Sequence, residues 1–241
     1  TTLETPSTVF DLDHAYVIQE AVTEALASPT CGWKVGSTSA EAQARLGTSE
    51  PGCGRIVERF AFRSGDSIPV SVNHDAQVEV EFAFLIGADL APRDKAYEQA
   101  DVRDVIESFV PGLEFVGARF SAGLAGAGRA LVSADGGANI AFAYGNPMPL
   151  EAGFDLRDHA CSLLINAHQI ESGTGRKALG DPLNVLTWLA NHLSKRGITL
   201  KAGNYVTTGT CTGLVAVRPG DTVEGAFGAL GSVKVHLVEM D

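Results

Sequence analysis

Between residues 77 and 86 the chain reads Gln-Val-Glu-Val-Glu-Phe-Ala-Phe-Leu-Ile, an alternation with period two. Side chains of a strand point to opposite faces in turn, so Val78, Val80, Phe82, Phe84 and Ile86 share a face that must be core. Glu79 and Glu81 share the other face, which continues as Ala83 and Leu85. Elsewhere the period is helical. Residues 11–27 predict a helix capped by Asp11 or Asp13, with Ala15, Ile18, Val22 and Leu26 recurring on one side. A short helix is predicted at 40–46, and another at 96–109, stopped by Pro111. Asp181-Pro182 opens a strong helix with an N-cap and a first-turn proline, its stripe formed by Leu183, Leu186, Leu189, Ala190 and Leu193 and its end marked by Gly197. Strands are predicted at 113–118, 140–144, 160–166, 205–208, 214–217, 222–227 and 232–238. The glycine-, alanine- and serine-rich stretch 121–137 reads as a loop that lines a pocket or moves. Strands and helices do not alternate regularly, which argues against a doubly wound sheet.

Composition narrows the function classes. Of 241 residues, 45% are hydrophobic and 20% charged, as in ordinary globular proteins. The formal net charge of -11 argues against nucleic acid, since phosphate binding needs clustered Lys and Arg. It leaves an anionic small substrate open, because one metal or one Lys reverses the sign locally. No apolar run reaches the roughly 20 residues that span a bilayer, and residues 1–10 lack the order of a signal peptide. Cys31, Cys53, Cys161 and Cys211 form no close pair in sequence; buried thiols in a reducing cytoplasm are the expectation. The six histidines show no zinc spacing. The segment 123–128 is no dinucleotide fingerprint, and 173–177 lacks the P-loop ending.

The candidate chemistry lies in a few acids and one lysine. Glu79 and Glu81 sit on a face that turns apolar within two residues, where two like charges repel and lose hydration. A hard divalent cation resolves both problems; the plain alternative is the wet face of a half-buried strand. Glu114, a lone acid in Pro111-Gly112-Leu113-Glu114-Phe115-Val116, is either a third metal ligand or the partner of a nearby cation such as Arg119. Lys34 lies in Gly32-Trp33-Lys34-Val35-Gly36. Its two readings are a contact to a substrate carboxylate, with proton transfer, and a solvated surface Lys.

In chain order, several segments resemble the fumarylacetoacetate hydrolase superfamily, in its branch of 2-keto-4-pentenoate hydratases and 4-oxalocrotonate decarboxylases. They are Ala15-Tyr16-Val17-Ile18-Gln19, Gly32-Trp33-Lys34-Val35-Gly36-Ser37-Thr38, residues 43–51, Glu79-Val80-Glu81, and Pro111-Gly112-Leu113-Glu114 with Arg119. Ser172-Gly173-Thr174-Gly175, Leu179-Gly180-Asp181-Pro182-Leu183-Asn184 with Trp188-Leu189-Ala190, and Thr207-Thr208-Gly209-Thr210 complete the set. The resemblance implies an α+β fold, a mixed β-sandwich or roll with flanking helices. In it, a helical and loop region, 1–70, packs on a metal-binding β-roll core, 71–241. It implies Mg2+ or Mn2+ on Glu79, Glu81 and Glu114, with Lys34 and Asp135 as catalytic groups. Lys34, Arg119, Ser172 and Thr208 are implied to contact a small 2-oxo or 2-hydroxy acid. A homo-oligomer is implied, with association with a related hydratase or decarboxylase subunit as a further expectation.

The implied activity is hydration of a 2-hydroxy-2,4-dienoate or 2-oxo-4-enoate in aromatic catabolism. Decarboxylation of a 2-oxo acid and a non-catalytic metal-binding homologue are the alternatives. A C–C bond hydrolase fits less well: His74 is the only His between Gly47 and Gln77, and no Glu follows it by three. Two departures stand out. Family hydratases tend to carry an acid and a Phe where this chain reads Pro51-Gly52-Cys53-Gly54, and Asp-Asn-Ala-Ser where it reads Asp135-Gly136-Gly137-Ala138. Both remove polar side chains able to position water. The residues expected near the substrate's tail are 121–129.

Overall fold

The computed structural model describes residues 2–7, 10–151 and 153–240. Its helices and strands run, in chain order, α1 (Leu12–Ala25), β1 (Thr30–Gly36), α2 (Ala40–Leu46), β2 (Gly52–Val57), β3 (Ala61–Arg63), β4 (Ser67–Val70), β5 (Gln77–Ile86), α3 (Gln99–Arg103) and β6 (Ile106–Val116). They continue as α4 (Gly123–Ala134), β7 (Asn139–Tyr144), β8 (Ala160–Ile165), β9 (His168–Thr174), α5 (Pro182–Lys195), β10 (Tyr205–Thr210), β11 (Val215–Ala216), β12 (Thr222–Ala226) and β13 (Ser232–Glu239). The larger sheet has the order β2-β1-β10-β5-β6-β7-β3, with β11 added on β5; the smaller has the order β4-β13-β12-β8-β9. The mixed sheets and flanking helices agree with the expected α+β architecture. The stretch 1–70, expected as helix and loop, also carries β1 to β4, which enter both sheets.

The two sheets are held together by the apolar face of β5. Val78, Val80, Phe82, Phe84 and Ile86 are fully buried, as their alternation predicts, and pack with Leu163, Val223, Val233 and Val235 of the smaller sheet. Phe82, Phe109 and Phe227 meet at ring separations of 5.1–5.5 Å. The opposite face of β5 faces a smaller apolar cluster of Ile56, Ala83, Val110 and Phe142. The larger sheet therefore buries part of both faces, and its second face carries the polar site.

Three expectations of local structure are corrected, one of them the loop at 121–137, which does line a cavity. Residues 96–109 form only one short helix, because β6 begins at Ile106 and pairs with β5 as far as Val116. Val102, Ile106 and Phe109 mimic a helical stripe, but strand pairing along ten residues outweighs local period. Pro111 lies inside this strand, one residue beyond the last β6–β7 pair, Gly112 with Tyr144, where a missing N–H is tolerated. Second, 121–137 is largely helix. The Ala and Leu content sustains α4, which packs on α1, while Gly128 breaks it at φ 69°, ψ 170°. Third, α1 is turned from its expected stripe. Ala15, Tyr16 and Gln19 are buried, whereas Ile18 and Val22 are exposed. Gln19 sets this orientation: its amide donates to Cys53 O at 3.0 Å and Ser133 O at 2.6 Å, tying α1 to β2 and α4. The edge strand β9, absent from the expectations, has no apolar alternation to betray it and is exposed from His168 to Ser172. α5 has the predicted cap and stripe: Asp181 accepts from Leu183 N at 2.8 Å and the apolar side is buried. Among the described residues no helix is long and apolar enough to cross a membrane.

Candidate metal centre and its cavity

The register of β5 on β6 builds the site. It sets Glu79 directly opposite Glu114, with Glu81 two residues along the same face, opposite Gly112. Directly opposed carboxylates destabilise a sheet unless something positive lies between them. Glu81 and Glu114 are fully buried and Glu79 is 9% exposed. One oxygen from each acid lies within 4.8 Å of the others.

The polar groups around the acids satisfy only part of this cluster. Glu81 Oε2 accepts the Gly209 N–H at 2.7 Å, and Glu114 Oε1 accepts from Asn139 Nδ2 at 2.9 Å. Lys34 Nζ sits 3.0 Å from Glu114 Oε1 and donates to Gly137 O at 3.0 Å. Strands lie about 4.8 Å apart, so β1 and β6, three places apart, would be separated by roughly 14 Å in a flat sheet. A lysine cannot span that. The contact shows that the larger sheet is rolled around this face.

Among the described residues, Glu81 Oε1 and Glu114 Oε2 remain buried without a partner. Three carboxylates against one ammonium leave two negative charges over. That surplus, two bare oxygens and an all-oxygen donor set fit a hard divalent cation. The protonation behaviour agrees. Burial, then the charge on Glu114, pushes the Glu79 carboxyl up to about 7. Burial, then Glu114 and Glu79, holds Glu81 well above the usual carboxylate range. Burial opposes the charge on Lys34, but Glu114, Glu79 and Glu81 outweigh it and raise its pKa.

The site opens into a cavity of about 390 Å3. Lys34 and Glu79 line one end. Leu46, Val116, Ala118, Leu124, Val132 and Leu214 supply apolar wall, and Arg45, Asp75, Gln77 and Arg129 supply polar groups. Of the sequence-derived site residues, Lys34, Glu79, Glu81 and Glu114 come together. Arg119 does not pair with Glu114, because it lies beyond the end of β6. It pairs instead with Asp135 Oδ1 at 3.1 Å and bonds Asn139 O, and the two residues border a separate small cleft beside α4. Burial raises the Asp135 pKa, against the pull of Arg119. Thr208 is fully buried and its hydroxyl donates to Phe82 O at 2.6 Å. Ser172 is exposed on β9, in the other sheet.

Asn139, the Gly209 N–H and the Gly137 carbonyl were not singled out from sequence. Backbone groups carry no residue signature, and a lone Asn at the start of a strand carries little. The cysteines are free, with Cys53, Cys161 and Cys211 buried and Cys31 partly so.

With this geometry in view, the match to known proteins is direct. The family model described as fumarylacetoacetate (FAA) hydrolase C-terminal covers residues 20–238. The chain belongs to this family. Within the family it is 32% identical over 231 residues to a 2-keto-4-pentenoate hydratase of Paraburkholderia xenovorans, covering 94% of this chain and 84% of that one. It is 29% identical to a 4-oxalocrotonate decarboxylase of Pseudomonas putida, covering 93% and 84%. In structure it resembles the 4-oxalocrotonate decarboxylase of Pseudomonas putida G7. The complex of that enzyme with calcium and acetate gives a TM-score of 0.85 at 28% identity, covering 95% of this chain and 86% of that one. Its complex with magnesium and adipate gives 0.88 at 26%, covering 98% and 91%.

Proposed function

We propose that this protein is a divalent-metal-dependent lyase that hydrates a 2-hydroxy-2,4-dienoate or its 2-oxo-4-enoate tautomer, with Glu79, Glu81 and Glu114 holding Mg2+ or Mn2+. The observation that carries the reading is the pair Glu79 and Glu114, opposed across paired strands beside Lys34, with bare oxygens on Glu81 and Glu114. A divalent ion there supplies Lewis-acid stabilisation of the charge that develops on a 2-oxo acid.

The chain's own groups do the rest. The Lys34 ammonium has three donors. One serves Glu114 and one Gly137 O, which leaves the third for the substrate's carboxylate or for proton transfer. Gly137 O and Glu114 hold Nζ at the cavity end, so the lysine is oriented before substrate arrives. The apolar wall surrounds the unsaturated chain of the substrate and limits the water reaching it. Asp135 acts at one remove. Paired with Arg119, it begins the turn whose Gly137 carbonyl holds Lys34, and its own carbonyl accepts from Ala138 N at 3.1 Å.

A second reading, decarboxylation of a 2-oxo acid, is favoured by the missing water-positioning side chains at Gly52 and at 136–138. The space a side chain would take at Gly137 is filled by Lys34, whose Cδ lies 2.8 Å from the Cβ position. Two assays with Mg2+ separate the readings. Loss of the ultraviolet absorbance of 2-hydroxypenta-2,4-dienoate reports hydration, and CO2 release from a 2-oxo dioic acid reports decarboxylation. Silence in both with metal bound means a non-catalytic homologue. The reading includes a homo-oligomer, supported by the exposed Val17, Ile18 and Val22 of α1 and tested by sedimentation.

A further inference from the structure

Threonines crowd the end of β10 and the turn beyond it: Thr207, Thr208, Thr210 and Thr212. Three of these hydroxyls serve the fold. Thr208 donates to Phe82 O, Thr210 accepts from Gly213 N at 2.7 Å, and Thr212 accepts from Val80 N at 3.2 Å. Thr207 is fully buried, and among the described residues its Oγ1 has no partner. A buried hydroxyl left bare lowers stability, whereas a valine of the same shape would not. The fold itself has no use for this hydroxyl.

Strand register places Thr207 on the face that carries the acids. It pairs with Ala83 of β5, so it shares a side with Glu81, two residues along; Val206, paired with Phe84, belongs to the core. On the other flank β1 runs parallel to β10, with Gly32 opposite Tyr205 and Trp33 opposite Val206. The same register carried one residue on sets Lys34 beside Thr207. From there the lysine side chain crosses β10 and β5 to reach Glu114 on β6, so its stem passes over Thr207.

Glu81 leans toward the same strand. Its Oε2 accepts from Gly209 N at 2.7 Å, which draws the carboxylate to β10, two residues on from Thr207. Its other oxygen, Oε1, is buried and bare. Thr207 and Glu81 are diagonal neighbours across the strand pair, about 7 Å apart, a gap that a long side chain spans. A donor without an acceptor and an acceptor without a donor therefore lie on one face, at one flank of the acid cluster. Apart from Glu114 in the cluster itself, the other bare buried side-chain atoms belong to helices or to Trp33 in the core.

We infer that Thr207 is a positioning residue of the metal centre: its hydroxyl donates to Glu81 Oε1 when a cation fixes that carboxylate, so that the Gly209 N–H and Thr207 together hold both oxygens. This rests on the reading that Glu79, Glu81 and Glu114 take a divalent ion. An ionised carboxylate only accepts, and each of its oxygens has room for a hydrogen bond beside the ion. Groups that bond a ligating carboxylate orient it, and their removal lowers metal affinity by about 10- to 100-fold.

Calorimetry of Mg2+ binding, beside urea unfolding of the metal-free protein, tests this without turnover. Thr207→Val is expected to weaken Mg2+ binding by about 10-fold. Its metal-free form should unfold at the same or a higher urea concentration, because a bare buried hydroxyl has gone. A threonine that merely supports the fold does not lose affinity while keeping metal-free stability. Thr207→Ser, which keeps the donor, should recover most of the affinity. Thr208→Val, which loses the bond to Phe82 O, should show the reverse pattern, with metal-free stability lowered and Mg2+ affinity unchanged. Wild-type Mg2+ affinity in Thr207→Val overturns the inference and leaves the metal centre standing. So does a Thr207→Val protein whose metal-free stability falls in step with its affinity, or a Thr207→Ser protein that binds no better than Thr207→Val. Absence of Mg2+ binding by the wild-type protein overturns the metal centre and the inference together.

Discussion

The two ends of the cavity are built by different means. The acidic end, proposed above to hold the metal, is made of paired strands: Glu79, Glu81 and Glu114 occupy fixed register positions on β5 and β6, and each bonded oxygen is held by another element. The other end is made of a broken helix and a glycine, Arg129 filling the room beside Gly52. Strand register admits no small adjustments, since a slip of one residue would send every acid to the opposite face. A side chain on a kinked helix exchanges at little structural cost. The difference is one of tolerance: the sheet fixes the acids by register, while the helix lets the opposite wall vary.

The strongest way to break that contrast is Glu81→Gln. It should weaken Mg2+ binding by about 100-fold or more, beyond what loss of a residue that only supports a ligand brings. Turnover should fall by about 10^3-fold, and the metal-free protein should become no less stable, because a buried repelling acid has been removed. Calorimetry reads the affinity, the absorbance assay the turnover and thermal melts in chelator the stability; unchanged affinity would remove the metal centre. Lys34→Met comes next. It should lower turnover by about 100-fold or more and destabilise the metal-free protein by about 3 kcal/mol, because Glu114 is left buried without its counter-charge. Urea titration in chelator measures the second effect.

Protonation gives a third test. The folded-state pKa of Glu79 lies at about 7, above the ordinary value of 4.5. The metal-free fold therefore binds a proton that the unfolded chain releases. Its stability from this group is fully present below about pH 4.5 and is lost as pH rises through 7, to the extent of about 3 kcal/mol. Mg2+ replaces the proton, so its stabilising effect should grow from pH 5 to pH 8. Denaturation curves with and without Mg2+ at the two pH values decide; an effect of Mg2+ independent of pH would contradict it. The smallest effect is expected from Thr208→Val, which loses the bond to Phe82 O and about 1 kcal/mol of stability while turnover stays within about 3-fold. A tenfold rise in KM at unchanged stability would instead place Thr208 against substrate.

The alternation in residues 77–86 made the acidic cluster legible, because burial of one face forces Glu79 and Glu81 onto the other. Glu114 was legible as an acid in an apolar run, but its partner was not: Lys34 rather than Arg119 reaches it, which follows only from the rolling of the sheet. The helical misreading of 96–109 has the same origin, since β5 supplied a partner that local periodicity cannot reveal. Arg129 was visible only as part of a segment expected near the substrate's tail. Its packing depends on an empty position at residue 52, nearly 80 places away in sequence, and no spacing rule joins two such sites.

The bond from the Gly209 N–H to Glu81 spans 128 residues of chain. Contacts of such separation form late when a chain condenses, because the loop they close carries the largest entropy loss. β10 must dock on β5 before Glu81 gains its donor, whereas β5 and β6 meet through a much shorter connection. In a refolding experiment, recovery of secondary structure should thus run ahead of the ability to take up Mg2+. Metal uptake would serve as a clock for the last long-range closure of the fold, and variants that slow β10 docking would delay that uptake without altering the final affinity.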